Sequence, residues 1–289
     1  MPIDIRLEVA SLPEGALCAM ESALSCALRL EGAPMDSVMS LLITDDAAIH
    51  AVNLSMRGVD AATDVLSFPS VQFPPHTVYS RLRPRLPRQD GHPFLGDAVI
   101  SLPRAQAQGR EFGHGVNREL AYLTAHSALH LMGYDHIEDT DKTLMREKER
   151  DIMEQIGLYR DEELLDKALK AMEMSYSPYS HFRVGACILG ADGRAYIGAN
   201  IENASYGATI CAERAALSRA VVDGCRRFTA IAIAGDEPAW PCGICRQALN
   251  EFSDDMKVIV GTKEGIVGVM KLSELLPHSF GPAELGVKA

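Results

Sequence analysis

The sequence predicts two domains, an α+β domain with a mixed sheet and helices, followed by an α/β domain of three layers. Its 289 residues exceed a typical domain and suffice for two hydrophobic cores. In residues 1–157 strands come early and helices gather late, an order typical of α+β architecture. In residues 158–289 helices and strands alternate, which favours helices around a mixed central sheet.

Hydrophobic periodicity and turn residues predict the elements of the first domain. They are a strand at 3–9, a helix from about Glu14 to Leu30, a strand from Val38 to Thr44, a helix capped by Asp45, a strand ended by Pro69, a strand at 95–101, and helices near 103–111, 117–132 and 138–156. Between them, residues 74–93 are rich in Pro and Arg and are expected to form a long loop. Such loops are more often functional or mobile than accidental.

The boundary is expected near 157–161, where Gly157 ends one helix and Asp161 begins the next. The second domain should then contain helices at 161–174, 211–223 and 242–252, and strands at 184–190, 195–199, 229–235, 257–260 and 265–270.

Composition sets limits on location and partners. Apolar residues make up 47% and charged residues 23%, as in soluble globular proteins. No apolar stretch is long enough to span a bilayer and no signal-peptide pattern opens the chain, so we expect a cytoplasmic protein with no membrane partner. The formal charge of −11 disfavours nonspecific binding to nucleic acid. Arg81–Arg110 is a local exception, with six arginines and two acids.

Three of the seven cysteines are spaced as metal ligands. Cys211 is followed two residues later by Glu213, and Cys242 and Cys245 form a Pro-Cys-x-x-Cys motif about thirty residues on. A Cys-x-x-Cys pair alone could be redox-active or simply buried. A third cysteine with a glutamate at this spacing instead matches the three-cysteine form of the zinc deaminase signature.

The residue types suit that chemistry. Three protein ligands leave one zinc position open, as in catalytic rather than structural sites. Glu213 is no ligand in this pattern and is expected to carry protons. Arg214 can donate to the sulfurs and offset the negative charge of three thiolates, although a solvated helix face is the competing interpretation for this side chain.

Here the sequence resembles the homotetrameric cytidine deaminases. The resemblance covers nearly all of 160–289, through YSPYSHFRVGA, ANIENASYGATICAER, PCGICRQ and LLPHSF. It implies one zinc ion, a homotetramer, and hydrolysis of free cytidine and deoxycytidine to uridine and deoxyuridine. Deaminases that edit polynucleotides are the close alternative.

The same resemblance implies roles for five further residues. Asn200 and Glu202 would bind the ribose hydroxyls, and Phe182 would lie against the pyrimidine. Phe280 would reach into a neighbouring subunit's site, and Tyr206 would make a contact between subunits. For the three aromatic residues, a place in the core is the competing interpretation.

The first domain carries a histidine pattern in HSALHLMGYDH. His126 and His130 are four apart, so a helix presents both on one face, and Gly133 allows His136 to return toward the same metal. The spacing matches the zincin pattern, but Ser127 stands where the catalytic glutamate would be. Metal binding is therefore expected, and peptide hydrolysis is disfavoured.

Residues 1–157 resemble the YbeY endoribonucleases of ribosomal RNA maturation. The resemblance rests on MRGVDAATDVLSFP, FLGDAVIS and HSALHLMGYDHIED. It implies an α+β fold, zinc held by the three histidines, Arg57 as a functional arginine, and ribosomal RNA or the ribosome as partner. Asp64 and Asp97 are either structural caps or partners of the histidines, and the sequence leaves both open.

The sequence therefore predicts a bifunctional zinc hydrolase with one ion per domain. Arg81–Arg88 is the candidate for contact with the RNA backbone, against the alternative of a solvated loop. One rival treats the first domain as a metal-stabilised ribosome-binding module without catalysis. Another assigns it to hydrolysis of a small molecule or peptide.

Overall fold

A computed structural model describes residues 3–136, 138–253, 255–281 and 285. The chain divides into two compact units, Met1–Leu158 and Tyr159–Ala289. No helix among the described residues is long and apolar enough to cross a membrane.

The first unit contains five strands and six helices among its described residues. In chain order these are β1 (Ile3–Leu7), α1 (Ala16–Glu31), β2 (Val38–Thr44), α2 (Asp46–Arg57), β3 (Val65–Pro69), α3 (Tyr79–Leu82), β4 (Arg88–Gln89), β5 (His92–Ser101), α4 (Leu102–Glu111), α5 (Val116–Leu131) and α6 (Asp139–Gln155).

The sheet of the first unit is mixed and has the order β1-β2-β5-β3, with β4 paired to β5. β1 and β5 run parallel to β2, and β3 runs antiparallel to β5. The main core joins one face of the sheet to α1 and α5 through residues such as Leu24, Ile43 and Leu129. On the other face, Ile49 of α2 packs against Leu66 and other side chains of the sheet. The predicted mixed sheet with helices is confirmed in this unit.

Besides a 3₁₀ turn at Tyr206–Ala208, the second unit contains the remaining described helices and strands. They are α7 (Asp161–Met172), β6 (Val184–Gly190), β7 (Ala195–Ala199), α8 (Ala212–Val222), β8 (Phe228–Gly235), α9 (Gly243–Asn250), β9 (Lys257–Thr262), β10 (Gly265–Lys271) and α10 (Leu272–Leu275).

The sheet of the second unit has the order β10-β9-β8-β6-β7, with β8 and β9 parallel and the other pairs antiparallel. Alternate residues of its strands face opposite helices. Ile231 and Ile233 pack with the α8 residues Ala216 and Leu217, whereas Ala232 belongs to the cluster formed with α7. The helices therefore cover both faces of the sheet.

The structure corrects the expected loop at 74–93. This segment contains the short helix α3 and the two-residue strand β4. Tyr79, the first residue of α3, is buried, and its backbone N–H donates to the Met132 carbonyl at 2.8 Å. The packing of one tyrosine against the end of α5 thus orders a segment whose composition indicates no regular structure. The short helix α10 was also not predicted.

Candidate metal centres

Helix α5 presents two histidines on one side and ends so that a third returns to them. His126 and His130 lie one helical turn apart. The chain then turns at Gly133, whose φ of 90° is left-handed and whose N–H donates to the His130 carbonyl at 3.0 Å. His136 follows this turn, and its ring centroid lies 4.9 Å from that of His130.

The three imidazoles direct their ligand atoms toward one point. One nitrogen of each ring lies within 4.8 Å of the other two. The Nε2 atoms of His126 and His130 are 3.1 Å apart. Their Nδ1 atoms face acceptors instead: Glu149 Oε1 lies 2.7 Å from that of His126, and the Tyr134 carbonyl lies 2.9 Å from that of His130. Each Nδ1 therefore carries a proton, and each Nε2 presents a lone pair.

This donor set fits a zinc ion. Burial, together with the neighbouring His126 and His136, lowers the pKa of His130 to about 4, so its ring is neutral near pH 7. The Nε2 atoms of His126 and His130, 3.1 Å apart, are close enough to share a proton or to bind one cation between them. Tetrahedral zinc with Zn–N bonds of about 2.0–2.1 Å would separate two nitrogens by roughly 3.3 Å. Three imidazoles also leave a fourth coordination position open.

A cavity of about 750 Å³ opens in front of the imidazoles. Arg57, the last residue of α2, lines it together with Asp64 and Phe73. A guanidinium on this wall can bind a phosphate that approaches the histidines. Ser127 instead turns into the core, where its buried hydroxyl has no hydrogen-bond partner among the described residues. Position 127 therefore supplies no general base to the cavity.

The two acids that the sequence left open lie in different surroundings. Burial acts to raise the pKa of Asp64, but hydrogen bonds from Gln108, Thr63 and the Val65 backbone lower it overall. Gln108 Nε2 donates at 3.0 Å and the Val65 N–H at 2.8 Å. These partners tie the start of β3 to α4, and none of them is a histidine. Asp97 is exposed on β5, and desolvation raises its pKa.

In the second unit, two helix N-termini bring three cysteines together. Cys211 is the N-cap of α8 and Cys242 the N-cap of α9, while Cys245 lies in the first turn of α9 and is buried. Their Sγ atoms all lie within 4.8 Å of one another. Tetrahedral zinc with Zn–S bonds of about 2.3 Å would hold two sulfurs roughly 3.8 Å apart. The positive ends of both helices stabilise thiolates at these positions.

The groups around the sulfurs favour a thiolate. Hydrogen bonds from Cys245, and further ones from Arg214 and Cys242, lower the pKa of Cys211 to about 5 against the opposing effect of burial. Arg214 also donates to the Thr209 carbonyl at 3.0 Å, which fixes its guanidinium 3.9 Å from Cys211 Sγ. Glu213, one residue earlier, is only 4% exposed, and this burial raises its pKa. Its carboxyl is thus suited to hold and release a proton.

The Asn200 and Glu202 side chains hold the segment that precedes β6. Asn200 Oδ1 accepts from Ser175 Oγ at 2.6 Å and from the Val184 N–H at 2.9 Å, and its Nδ2 donates to the Phe182 carbonyl at 2.8 Å. One amide hydrogen of Asn200 is left for a ligand.

The Glu202 carboxylate accepts from the backbone N–H groups of Tyr179 and Ser180, at 2.9 and 3.2 Å, and from the Ser180 hydroxyl. The hydrogen bond from the Ser180 hydroxyl is the main cause of its lowered pKa. Glu202 is therefore ionised at neutral pH, with acceptor capacity left for a hydroxyl group.

The three aromatic candidates are exposed in the single chain. Phe182 is 46%, Tyr206 77% and Phe280 58% exposed, so none of them lies in the core. The Phe280 carbonyl accepts a hydrogen bond from Gln247 Nε2 at 2.7 Å, which links the end of the described chain to α9.

Comparison with known proteins places the first unit in a family. Residues 8–157 match the family model described as Endoribonuclease YbeY. The Endoribonuclease YbeY of Desulforamulus reducens is 42% identical over 153 residues, which cover 53% of this chain and 94% of that protein. That of Desulfitobacterium hafniense is 42% identical over 164 residues, covering 55% of this chain and all of the relative. The chain belongs to the YbeY endoribonuclease family.

The part that follows the YbeY domain matches a second family. Residues 158–262 match the model described as the cytidine and deoxycytidylate deaminase zinc-binding region. The crystal structure of cytidine deaminase from Burkholderia pseudomallei is 40% identical, with a TM-score of 0.37, and the match covers 40% of this chain and 96% of that one. The chain is thus a fusion of a YbeY domain with a cytidine deaminase domain, and both families are hydrolases.

The YbeY domain contains site residues that the sequence did not reveal. Glu149 of α6 contacts His126, and the Tyr134 carbonyl contacts His130. Glu149 lies 23 residues after His126, in a helix rich in charged residues, and it belongs to none of the motifs in the sequence. The signal that could have found it is the general preference of ligating histidines for a carboxylate partner.

The arginine-rich segment of the YbeY domain reaches a second cavity. Arg81 in α3 lines a cavity of about 310 Å³ together with His76 and Asp141, whose side chains are 2.7 Å apart. Gly133 and Tyr134 line both this cavity and the larger one before the histidines. Arg81 therefore lies beside the histidine site along a shared wall.

Proposed function

We propose that the protein is a bifunctional hydrolase. Residues 1–157 would be an endoribonuclease that cleaves single-stranded RNA in ribosomal RNA maturation, and residues 158–289 would deaminate cytidine and deoxycytidine. The observation that carries this proposal is the convergence of two separate ligand trios, each compatible with one zinc ion. The two family matches support the assignment of one activity to each trio.

In the endoribonuclease site, His126, His130 and His136 would hold the ion. Zinc bound there supplies Lewis acidity and an acidified water near the phosphodiester. Arg57 lines the same cavity and would stabilise the negative charge that develops on the phosphate. Arg81 would contact the RNA backbone on the neighbouring cavity wall.

The rival is a ribosome-binding module that needs metal only for stability. A variant of Arg57 distinguishes the endoribonuclease from this rival, because Arg57 lines the cavity but is not a metal ligand. In the full chain, Arg57→Ala should lower RNA cleavage by about 100-fold, in the range of other lost charge-stabilising groups, while zinc content stays at the wild-type value. A zinc-loaded wild-type chain that cleaves no RNA above background would favour the module.

In the deaminase site, Cys211, Cys242 and Cys245 would hold the second ion. Zinc bound there lowers the pKa of a water for attack at C4 of the pyrimidine. Glu213 would take up a proton from the water and deliver protons to the ring nitrogen and to the departing amino group. The C4–O bond forms first, as the ring nitrogen gains a proton, and the C4–N bond then breaks as the amino group leaves with a second proton, giving uridine and ammonia.

Substrate contacts are assigned to two polar groups with unused hydrogen-bonding capacity and to the exposed Phe182 ring. The remaining amide hydrogen of Asn200 and the ionised Glu202 would bind the ribose hydroxyls, and Phe182 would stack on the base. Tyr206 and Phe280 are exposed, which suits contacts with neighbouring subunits, so we assign the chain a homotetrameric deaminase assembly.

Free nucleosides are preferred over polynucleotides, because a ribose-binding pair favours a free diol. Turnover of cytidine with none of cytosine in RNA is the expected result. The reverse outcome would make the domain an editing deaminase.

Both activities suit the cytoplasm, where RNA and free nucleosides meet and where thiols stay reduced. All seven cysteines are free thiols in the structure. The reciprocal experiment uses the full chain: Glu213→Gln should abolish cytidine turnover and leave RNA cleavage intact, whereas Arg57→Ala should lower RNA cleavage by about 100-fold and leave cytidine turnover intact.

A further inference from the structure

We propose that helix α6 positions the histidine trio through two adjacent residues, Glu149 and Lys148. Glu149 would orient His126 directly, and Lys148 would orient His130 through Glu31 and Tyr134. This inference rests on the proposed metal site of the endoribonuclease domain and assigns positioning roles to residues outside its ligand set.

The first branch is a buried carboxylate held between two side chains of α5. Glu149 is 5% exposed, with Oε1 2.7 Å from His126 Nδ1 and Oε2 accepting from the Tyr122 hydroxyl at 3.0 Å. A carboxylate is costly to bury unless its oxygens are paired. Both oxygens of Glu149 are paired, and one partner is the histidine ring.

This contact fixes the protonation pattern of His126. Because Nδ1 donates to the carboxylate, the lone pair of the ring stays on Nε2, the atom that faces His130 at 3.1 Å. A carboxylate at Nδ1 also makes the imidazole a more basic ligand. Glu149 therefore sets both the direction and the strength of the ligand.

The second branch reaches His130 through a main-chain carbonyl. His130 Nδ1 donates to the Tyr134 carbonyl at 2.9 Å, and the Tyr134 hydroxyl donates to Glu31 Oε1 at 2.7 Å. Lys148 Nζ lies 3.1 Å from the same oxygen. Tyr134 is held at both ends, so its carbonyl cannot move away from His130 without breaking a buried contact.

Glu31 makes this branch depend on α6. Its side chain is fully buried, and Oε2 has no hydrogen-bond partner within the described ranges. Lys148, which is 27% exposed, supplies the positive charge that compensates this carboxylate.

The two branches meet in sequence and in space. Lys148 and Glu149 are consecutive residues of α6, whereas the groups they hold lie on α1, on α5 and on the turn that leads to His136. Helix α6 thereby holds the Nδ1 sides of the His126 and His130 rings, and their Nε2 atoms remain directed toward the cavity.

The test measures zinc affinity of the full chain by competition with a chelator, with denaturant unfolding as the control that the first unit is folded. Glu149→Ala should weaken zinc binding at the histidine site by about 100-fold, and Glu149→Gln, which keeps an acceptor but loses the charge, by about tenfold. Tyr134→Phe should weaken it by about tenfold. Glu147→Ala, an exposed residue of the same helix, should leave it unchanged.

The sites are distinguished by a chain with His130→Ala, which retains only the cysteine site. If the wild-type chain holds no more zinc than this variant, the proposed metal site fails. If the wild type holds the second ion and the Glu149 variants bind it as tightly, the positioning role fails. If Glu149→Ala does not fold, Tyr122→Phe replaces it, because this variant leaves the contact between Glu149 and His126 intact. It should reduce zinc affinity less than Glu149→Gln, and the opposite order would overturn the proposal.

Discussion

The Nε2 atoms of His126 and His130 lie 3.1 Å apart, with both Nδ1 atoms hydrogen-bonded to groups on the opposite side of their rings. Neutral imidazoles in this arrangement present two lone pairs to the same point. This geometry is compatible with a cation site at the end of one helix.

Ser127 and Thr124 are both fully buried in α5 but differ in their hydrogen bonds. The Ser127 hydroxyl has no partner in the described part of the chain, whereas Thr124 Oγ1 donates to the Leu120 carbonyl at 2.7 Å. Ser127→Ala should therefore raise the free energy of unfolding of the first unit by about 1 kcal/mol, and Thr124→Val should lower it by a similar amount. Denaturant unfolding of the full chain measures both. Destabilisation by Ser127→Ala would mean that the hydroxyl has a partner.

Gly133 combines a left-handed backbone with a close contact. A Cβ atom there would lie 2.5 Å from Phe73 Cγ, while the equally left-handed Gly91 has nothing within 4 Å. Gly133→Ala should cost at least about 2 kcal/mol and reduce zinc bound to the histidines, because backbone strain adds to overpacking. Gly91→Ala should cost about 1 kcal/mol, from strain alone, and leave zinc bound. Equal effects of the two variants on zinc content would contradict this account.

Asp64 should make the stability of the first unit depend on pH. Its pKa is lowered in the folded state, because hydrogen bonds from Gln108, Thr63 and Val65 outweigh burial. A lowered pKa contributes stability that is complete above the unfolded value of about 3.9 and is lost as pH falls through the lower folded value. The difference in stability between wild type and Asp64→Asn should be constant above about pH 5 and shrink below about pH 4. A difference that grows on acidification would contradict the direction of the shift.

Arg214 should matter to the deaminase more than a solvated arginine would. It lies between the Thr209 carbonyl and Cys211 Sγ, and its Nε atom is buried without a partner among the described residues. Arg214→Gln should lower kcat for cytidine by about 10- to 100-fold, because the thiolate charge is no longer offset. Arg219→Gln, in the last turn of the same helix, is the matched control. If steady-state kinetics show that both variants lower kcat equally, Arg214 behaves as a solvated arginine without a role at the sulfurs.

Local patterns in the sequence predicted most elements and the grouping of each trio, while contacts between distant residues escaped prediction. The spacing of His126 and His130 and the Cys-x-x-Cys motif translate directly into helix geometry, and both trios converge as expected. Asp45 is the N-cap of α2, and its side chain accepts from the Ala48 N–H at 2.9 Å.

Other features depend on packing across the chain. α3 forms where Tyr79 is buried against the end of α5, and Glu31 finds Tyr134 across 103 residues. Asn200 was expected to bind ribose, but most of its hydrogen-bonding groups hold the segment before β6. Hydrophobic periodicity in the sequence does not indicate such contacts between distant residues.

Zinc content per chain is the most direct test of the account, which requires two independent ions. Elemental analysis of the purified full chain should give about two zinc ions per chain from the one-per-trio geometry. His130→Ala and Cys245→Ala should each remove one ion and abolish only the activity of their own domain. A wild-type chain with a single ion, or a variant of either trio that retains both ions, would contradict it.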